Sequence, residues 1–491
     1  MHPARIRPWV GVCCAVLFAA LSQTAAANTL CVNPGGSHGC YAKIQSAVNA
    51  ASPNDVINVA PGTYKENVLI GKSLSLIGAG ADPSVIDATG LAHGIFLDGI
   101  TYPGLHNVTI AGFTVKNALY EGILVVSASD VTIRDNQILD NDKVPGISFG
   151  SSIACPGPQP GAGTYETDES GDCGGALHLV GTVNSIVSGN LVTGNADGIL
   201  ISDETGESSG NLVIHNTFKD NPLECGIVLA SHPPSGSIGS AHHGVHHNTV
   251  AENVSTGNGV QIGGAGVGLF SDGNGPGRVS ENVIIRNKLT GNGLGGVTLH
   301  THVGPNFGLP ADDMDGNMII GNSISGNLAD TFDTATPGTV GININSGEGG
   351  TPVRGTIISQ NVIRDEDVDI AINTPGEVDV HLNDLLDGKV GVANICVYDY
   401  TQNGEASHLP AACASSSVDA TENFWGCPNG PGTKGGCTTT YGPNINFTPW
   451  LDDSIGKEDD HCHDNDHAAN FDPANSWRVA MLLVTRRTFL S

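Results

Sequence analysis

The amino-acid sequence predicts an all-β protein in which short strands wind into one long coil. Three observations favour this fold class: a composition rich in glycine and poor in charge, a strand-and-turn unit that repeats along the chain, and insertions that recur within that unit. In such a coil each turn covers the open strand edge of the turn before it.

The composition is typical of a chain with many tight turns. Of 491 residues, 67 are glycine and 26 are proline, whereas only 14% are charged, against roughly 25% in an ordinary globular protein. Acidic residues outnumber Lys and Arg by 49 to 20, so the formal net charge is −29. A surface this acidic argues against nucleic acid as a partner, and an apolar fraction of 39% argues against a disordered chain.

Both ends of the chain are predicted to lie outside the coil. The apolar run from Trp9 to Leu21, followed by Ala25-Ala26-Ala27, is the pattern of a secretory signal peptide, so we expect a secreted protein, whether extracellular, periplasmic or on the cell surface. The acidic, His-rich end predicts a disordered tail, and no apolar run there is long enough to span a membrane. We also expect a monomer. The predicted signal peptide, N-terminal cap with a helix, coil and tail are residues 1–27, 28–54, 55–450 and 451–491.

The cysteines indicate an oxidising compartment. Of the twelve, Cys13 and Cys14 lie in the predicted signal peptide, and eight of the other ten fall in close pairs. Close pairs in an exported chain predict disulfides that close local loops. Cys225 precedes an apolar strand and is predicted to be a buried thiol. The predicted disulfides are Cys31–Cys40, Cys155–Cys173, Cys396–Cys413 and Cys427–Cys437.

The repeating unit is a short apolar strand, an Asn, a second apolar strand, another Asn, a Gly turn and a strand that begins Gly-Ile. Residues alternate sides along a strand, so one side of each strand points to a common interior. Asn tolerates the left-handed turn conformation, and its amide can form ladders between equivalent positions. The clearest copies are Asn190–Ile201, Asn216–Leu229 and Asn287–Leu299, with half units at Asn136–Asn141 and Asn322–Asn327.

This repeat resembles that of the right-handed parallel β-helix superfamily, which has the pectin-lyase-like fold. The resemblance covers about residues 40–450, including the helical spacing of Tyr41–Ala50 and the segment Asp419–Gly426, which looks like a last turn. It implies a single-stranded right-handed parallel β-helix (a solenoid) with a short N-terminal capping helix over the open end of the core.

No catalytic subgroup of the superfamily is matched. Gly62–Val68 matches the early motif of pectin methylesterases, but their later catalytic Asp motifs are absent. The Asn-Thr-Asp and Gly-His-Gly motifs of polygalacturonases, and the Asp-Pro-His-Asp motif of mannuronan epimerases, do not occur either. The resemblance therefore implies the fold and leaves the reaction open.

Insertions predict the working face of the coil. We assign all six to the same point of the unit, so stacked turns would place the loops on one side, which is where repeat proteins usually bind their ligands. The six insertions follow Ile147, Ile201, Leu229, Leu269, Leu299 and Ile344.

Polar residues at the starts of these loops are the candidate site residues. Histidines and carboxylates suit proton transfer, and carboxylate oxygens suit Ca²⁺, the possible cofactor. The alternative is that these side chains only cap turns and meet water. The candidate catalytic residues are His178, Asp203, His232, Asp272, His300 and His302, and the candidate metal ligands are Asp312, Asp313 and Asp315.

A separate motif, His242-His-Gly-Val-His-His247, places four histidines within six residues. Such a cluster could bind a borderline metal ion. The alternative is that Val245 and His247 begin the next strand of the coil.

The sequence leaves three functions open. The first is a secreted carbohydrate-active enzyme, a polysaccharide lyase or glycoside hydrolase, with His300 or His302 as the base, Asp272 and Asp203 as acids or metal ligands, and Asp313 as a calcium ligand. The second is a non-catalytic periplasmic or cell-surface protein that binds glycan or metal, and the third is a structural or adhesive repeat protein. The partner in the first two is a polysaccharide or glycan; because like charges repel, an anionic polymer would need a bridging cation, whereas a neutral glycan would not.

Overall fold

Three parallel sheets run along the length of the coil, and each turn contributes one short strand to each sheet. The computed structural model describes residues 27–141, 175–231, 243–261, 263–271, 277–301, 311–329, 338–346, 351–395, 398–400, 406–408, 416–432 and 437–455. Within these residues the chain forms a right-handed parallel β-helix of strands between Thr29 and Asn446, with one helix, α1, at Ile44–Ala50.

The largest sheet, sheet A, has 14 strands. Its strands, numbered in chain order, are β1 Thr29–Val32, β2 Asp55–Val59, β5 Leu74–Gly78, β8 His106–Ala111, β11 Ser129–Arg134, β14 Ile186–Ser188, β18 Leu212–Ile214, β22 Thr249–Ala251, β26 Val283–Ile285, β29 Met318–Ile320, β32 Thr356–Ser359, β35 Glu377–His381, β40 Ser417–Asp419 and β42 Ile445–Asn446.

Sheet B follows sheet A in each turn and has 11 strands. They are β3 Gly62–Tyr64, β6 Ser84–Asp87, β9 Thr114–Lys116, β12 Gln137–Leu139, β15 Leu191–Thr193, β19 Thr217–Lys219, β23 Val254–Thr256, β27 Lys288–Thr290, β30 Ser323–Ser325, β33 Val362–Arg364 and β36 Asp384–Leu386.

Sheet C completes the turn and has 12 strands. They are β4 Val68–Ile70, β7 Ile95–Asp98, β10 Ile123–Val126, β13 Leu177–Val180, β16 Ile199–Ser202, β20 Ile227–Ser231, β24 Val267–Ser271, β28 Val297–Thr301, β31 Val340–Asn345, β34 Val368–Asn373, β37 Val390–Asn394 and β41 Thr439–Tyr441. Two small sheets remain, a parallel one of β17 Ser208–Ser209, β21 Val245–His246 and β25 Val279–Ser280, and an antiparallel pair of β38 Tyr398–Tyr400 and β39 Ala406–His408.

The corner between sheets A and B is turned by one left-handed residue followed by one buried Asn. A residue in the left-handed conformation bends the chain sharply at a single position. Glycine, Asn and Asp adopt that conformation most easily. The left-handed residues, with φ of 54° to 66°, are Asp135, Gly189, His215, Glu252, Arg286, Gly321, Gln360, Leu382 and Glu422. The asparagines that follow them are Asn136, Asn190, Asn216, Asn253, Asn287, Asn322, Asn361, Asn383 and Asn423.

These asparagines form a continuous hydrogen-bond ladder. In each turn the side-chain oxygen of one Asn accepts both the backbone N–H and the side-chain amide of the Asn one turn earlier, at 2.9–3.0 Å. The predicted stacking of asparagines is therefore confirmed. The ladder satisfies buried backbone groups at a corner where no strand pairing could do so.

Two further ladders follow the other corners. The corner between sheets B and C carries a ladder of Asn141, Asn195, Asn221, Asn258, Asn292 and Asn327. The corner between sheets C and A carries a shorter one of Asn211, Asn248, Asn282 and Asn317.

The interior is one apolar cluster that extends along the coil. Alternate residues of each strand point inward, and on sheet C the same register position is filled by a β-branched residue or Leu in successive turns. Each branched side chain therefore packs on the one below it, which suits a pleated surface. On sheet C this column includes Ile123, Leu177, Ile199, Ile227, Val267 and Val297, all fully buried.

The helix predicted near the start is present as α1 and buries Ile44, Ala47 and Val48 against β1, β2 and β4. Its first two free backbone N–H groups donate to the carboxylate of Glu66, at 2.9 and 3.0 Å. That this helix caps the open end of the core stays a prediction.

Two of the four predicted disulfides lie in the described residues, and the structure contains both, Cys31–Cys40 and Cys427–Cys437. The other two, Cys155–Cys173 and Cys396–Cys413, fall outside the described residues. The thiol of Cys225 is buried as expected and accepts a hydrogen bond from the backbone of Ala265 at 3.0 Å.

One sequence prediction about the insertions is wrong. The segment 142–174 lies between β12 of sheet B and β13 of sheet C, so this insertion precedes the sheet C strand instead of following it. Gly146-Ile147 has the sequence of a strand start, but Leu177 is the residue that pairs in register with Ile123 of the previous turn. The other five insertions do follow strands of sheet C, at β16, β20, β24, β28 and β31.

Loss of one ladder residue should destabilise the coil strongly. Replacing Asn253 by Ala leaves the backbone N–H and side-chain amide of Asn216 without their acceptor, and Asn287 without one of its two donors. At about 1–3 kcal/mol for each buried group left unpaired, Asn253→Ala should lower the free energy of unfolding by about 3–5 kcal/mol. Denaturant unfolding measures this, with exposed Lys288→Ala as a control that changes it by less than about 0.5 kcal/mol. Equal effects of the two variants would contradict the role of the ladder.

The ladder between sheets B and C ends at Glu366, which makes stability depend on pH. Its carboxylate accepts the backbone N–H and side-chain amide of Asn327, at 3.0 and 2.9 Å, and burial raises its pKa to about 7. Asp369 is fully buried nearby, and burial, together with the charge of Glu366, raises its pKa well above the ordinary value. Groups with a raised folded-state pKa stabilise the fold when protonated, so this contribution is complete below the ordinary pKa of about 4.5 and is lost as pH rises through about 7.

Glu366→Gln should therefore remove the part of that pH dependence that Glu366 contributes, while keeping an acceptor for Asn327. At pH 8 the variant should be more stable than the natural chain, by up to about 3 kcal/mol, and at pH 4 the two should be similar. Denaturant unfolding across this pH range is the measurement, and Glu377→Gln on the exposed side of β35 serves as the control. A natural chain that is equally stable at pH 5 and pH 8 would disagree with this account.

Candidate functional site

The outer face of sheet C is almost completely covered. From β7 to β34 nearly every strand residue is buried, although half of the side chains point away from the core. Three outward side chains are partly exposed, and they lie on three consecutive strands: Val228, Phe270 and His300. We call these three residues the sheet C window.

Strand register places the polar and aromatic members of the window side by side. Phe270 on β24 pairs with His300 on β28, and His300 pairs with Asn345 on β31. The side-chain oxygen of Asn345 in turn accepts the amide of Asn373, at 3.0 Å. An aromatic ring, an imidazole and an amide therefore follow one another along a single row of the sheet.

A glycine makes room for the aromatic ring. A Cβ atom at Gly268, two residues before Phe270 on the same strand, would lie only 2.1 Å from the ring, so the ring lies over the glycine. Val228 and Phe270 also pack against a small apolar cluster of Cys225, Ala265 and Leu294. The Phe270 ring therefore packs on Gly268 and against the apolar cluster, and part of its surface stays exposed to solvent.

A row of hydroxyl groups ends the strands next to the window and anchors the loops. The hydroxyl of Ser231 donates to the carboxylate of Asp203 at 2.7 Å, and that of Ser271 donates to Asp312 at 2.6 Å. Asp312 also accepts the backbone N–H of Gly277 at 2.8 Å. Asp203 and Asp312 therefore hold neighbouring turns of the loop edge together.

A second cluster of polar side chains lies beside strands β10, β13 and β16 of sheet C. The carboxylate of Glu121 is 2.6 Å from Nδ1 of His93 and 3.6 Å from Nδ1 of His178, and Nε2 of His178 is 2.8 Å from the hydroxyl of Ser202. All four side chains are fully buried. Burial alone would raise the pKa of the Glu121 carboxyl, but the charge of His93 and the contact with His178 outweigh burial and lower that pKa.

The structure spreads the predicted site residues along the coil. His178 on β13 and His300 on β28 are four strands apart, which at about 4.8 Å per strand is roughly 19 Å. His178 belongs to the buried group around Glu121, Asp203 lies at the end of β16, and His300 lies in the window. His232, Asp272 and His302 fall outside the described residues.

The three candidate metal ligands have separate partners. Asp312 accepts from Ser271, Asp313 lies 3.2 Å from Nε of Arg278, and Asp315 accepts the backbone N–H of Arg354 at 2.7 Å. In the part of the chain that the structure describes, no three His, Cys, Asp or Glu side chains are arranged to hold a metal ion. In the same part, no helix is long and apolar enough to cross a membrane.

Sequence reasoning missed Phe270, His93 and Glu121. The signal for the last two was present, because each directly precedes a Gly-Ile strand start, where a charged residue is unexpected beside a buried strand. Phe270 carried a weaker signal: a large aromatic residue two positions after a glycine within a strand.

Fold and comparisons together place the chain in a class of architecture: it is a right-handed parallel β-helix protein. More particularly, residues 93–274 match the family described as Right handed beta helix region. No curated protein sequence matches the chain.

Solved structures share the fold at low sequence identity. The catalytic domain of a GH87 α-1,3-glucanase in complex with tetrasaccharides is 12% identical, with a TM-score of 0.53 over 87% of this chain and 69% of that one. The A-module of a mannuronan C-5 epimerase from Azotobacter vinelandii is 16% identical, with a TM-score of 0.44 over 76% and 94%. A DFA-IIIase from Arthrobacter chlorophenolicus A6 is 12% identical, with a TM-score of 0.45 over 86% and 100%. At these identities the likeness is one of fold.

Removing the buried carboxylate should destabilise the protein far more than removing an exposed one. Glu121→Gln leaves His93 and His178 buried without their counter-charge, so the free energy of unfolding at pH 7 should fall by about 3–5 kcal/mol. The Glu252→Gln control removes a carboxylate from an exposed ion pair with His215 and should cost less than about 1 kcal/mol.

The effect should also depend on pH. Because the folded-state pKa of Glu121 is lowered, its contribution is present above the ordinary pKa of about 4.5 and is lost as pH falls below it. Denaturant unfolding at pH 7 and pH 3 checks both parts. A Glu121→Gln effect that is as large at pH 3 as at pH 7 would rule out the ionised carboxylate as its cause.

Proposed function

We propose that the protein is a secreted carbohydrate-active β-helix protein that binds a glycan across the sheet C window and acts on it as a polysaccharide lyase or glycoside hydrolase. The observation that carries this proposal is the window itself. On a face that is otherwise buried, three consecutive strands expose an apolar side chain, an aromatic ring and an imidazole.

The chemistry of the window suits a sugar. Ligand sites are mostly apolar and aromatic, with a few polar groups that orient the ligand. The ring of Phe270 offers a flat apolar surface for the C–H face of a pyranose, and His300 lies next to it in register for a hydroxyl group of the sugar. The net charge of −29 favours a neutral glycan over an anionic one.

His300 is the group in the window that suits proton transfer. Imidazole changes its protonation near neutral pH and is the most frequent general acid or base in enzymes. Asp272 and His302, which follow β24 and β28 in the sequence, remain its proposed partners, and Ca²⁺ at Asp312, Asp313 and Asp315 remains the proposed cofactor. Asp203 follows β16, three strands away along sheet C. The α-1,3-glucanase that binds tetrasaccharides supports the proposal to the extent that the same fold carries a saccharide site there.

We also propose that the protein is secreted. Disulfides persist in oxidising compartments, and the bonds Cys31–Cys40 and Cys427–Cys437 support a secreted chain. We propose residues 1–27 as the signal peptide, 28–54 as the N-terminal cap, 55–450 as the coil and 451–491 as the tail.

A non-catalytic glycan-binding protein is the second candidate. It is favoured by the hydrogen bonds of Asp203 and Asp312, because both carboxylates accept from loop-anchoring serines. Glycoside hydrolysis ordinarily needs two carboxyl groups beside the scissile bond. In that case the window would bind a glycan and release it unchanged.

The proposal predicts different effects for the two window residues. Phe270→Ala should weaken binding of neutral glucan oligosaccharides about tenfold, because it removes the stacking surface. His300→Ala should lower turnover by at least about 100-fold and change binding less. Calorimetry with a panel of oligosaccharides measures binding, and the appearance of new reducing ends or unsaturated products measures turnover.

Thr256→Ala is the matched control, since Thr256 lies on the outer side of sheet B in the same turn as Phe270. Binding without products in the natural chain would support the non-catalytic candidate. If no glycan in a panel of neutral and anionic polymers binds, or if Phe270→Ala and Thr256→Ala bind alike, the window is not a glycan site.

A further inference from the structure

The adjacent histidines His246 and His247 lie beside the corner between sheets C and A, away from the window. His246 ends β21, and His247 has a φ of 55°, which turns the chain into the ladder residue Asn248. Neighbouring residues of a regular strand point to opposite faces, but the left-handed residue breaks that alternation. The two imidazoles therefore meet edge to face, with their Nδ1 atoms 2.9 Å apart.

Each imidazole also meets a carboxylate from a neighbouring turn. Nε2 of His246 lies 3.4 Å from Glu207 of the turn before, and Nε2 of His247 lies 3.2 Å from Glu281 of the turn after. A carboxylate beside one ring nitrogen favours the proton on that nitrogen and leaves a lone pair on the other. Both Nδ1 lone pairs then face each other across 2.9 Å.

Two lone pairs at that distance repel unless a proton or a metal ion lies between them. A metal ion suits the spacing, since two imidazole nitrogens about 2.0–2.1 Å from one tetrahedral zinc ion are roughly 3.3 Å apart. A carboxylate on the far nitrogen of a ligating histidine is also the usual arrangement at metal sites, because it fixes the tautomer and ring orientation.

The surrounding charge favours a cation. Two carboxylates, those of Glu207 and Glu281, contact the pair, against the single guanidinium of Arg278, which itself contacts Glu281.

We propose that His246 and His247 form a two-histidine site for a borderline divalent transition-metal ion such as Zn²⁺. The Nδ1 atom of each ring is a ligand, Glu207 and Glu281 hold the rings from behind, and water completes the coordination. This site is independent of the glycan-binding proposal, because none of its residues belongs to the sheet C window.

The chain offers a matched control for this site. His215 is also a left-handed corner residue, and its Nε2 contacts the carboxylate of Glu252 at 2.7 Å. It has the same kind of carboxylate partner as His247, but its neighbours in sequence are Ile214 and Asn216 in place of a second histidine. It therefore tests whether the pair of imidazoles, and not one histidine with one carboxylate, binds the ion.

Calorimetric titration of the full chain with Zn²⁺ at pH 7.5 tests the proposal. His247→Asn, which keeps a residue that tolerates the left-handed corner, and His246→Ala should each lose one equivalent of bound Zn²⁺ relative to the natural chain. His215→Ala should keep it. Glu281→Gln should retain the site but weaken it by about tenfold.

Other histidines of the chain can also bind Zn²⁺, and they are present in every variant. The test is therefore the difference in bound Zn²⁺ between each variant and the natural chain. Unfolding curves confirm that each variant is folded, and Glu281→Gln keeps the test decisive if either histidine variant is not. In the natural chain, the ring ¹⁵N signals of both Nδ1 atoms should shift on addition of Zn²⁺. The same Zn²⁺ stoichiometry in His246→Ala, His247→Asn and His215→Ala, or Nδ1 signals that do not move, would overturn the proposal and leave a pair that only shares a proton.

Discussion

The hydrogen bond from one asparagine to the next is the interaction on which the coil depends. Short strands leave buried backbone groups at every corner, and an unpaired buried group costs free energy comparable to a lost hydrogen bond. One Asn per corner satisfies its own turn and the turn before it. The left-handed residue before each Asn orients the Asn side chain along the ladder. The same two-residue corner therefore recurs from turn to turn.

Because the ladders hold the three corners, the loops are free to vary. They leave the coil mainly at the ends of sheet C strands, and a row of serine hydroxyls and carboxylates attaches them there. The outer face of sheet C is mostly buried, and the window of Val228, Phe270 and His300 stays partly exposed. The repeating part of the chain provides stability, and the variable part determines which side chains can meet a ligand.

The pKa values of two buried carboxyl groups shift in opposite directions, because one has charged neighbours and the other has neutral ones. Glu121 has two imidazoles beside it, so its pKa falls below the ordinary value despite complete burial. Glu366 accepts hydrogen bonds from neutral groups of Asn327 and Thr339 and lies near Asp369, so burial dominates and its pKa rises to about 7. Both glutamates lie just before a strand of sheet C. The difference between their pKa shifts therefore comes from the residues of adjacent turns that contact them.

The sequence by itself determined the coil, the asparagine ladders and the disulfides Cys31–Cys40 and Cys427–Cys437, because these depend on strand period, left-handed turns and short spacings that are local in the chain. It also indicated the loop edge, apart from the segment 142–174. Only the tertiary structure decided that His178 is buried beside Glu121, that His300 is partly exposed beside Phe270, and that the rings of His246 and His247 face each other. These outcomes depend on which residues of neighbouring turns lie in register, and that register cannot be read from the repeat within a single turn.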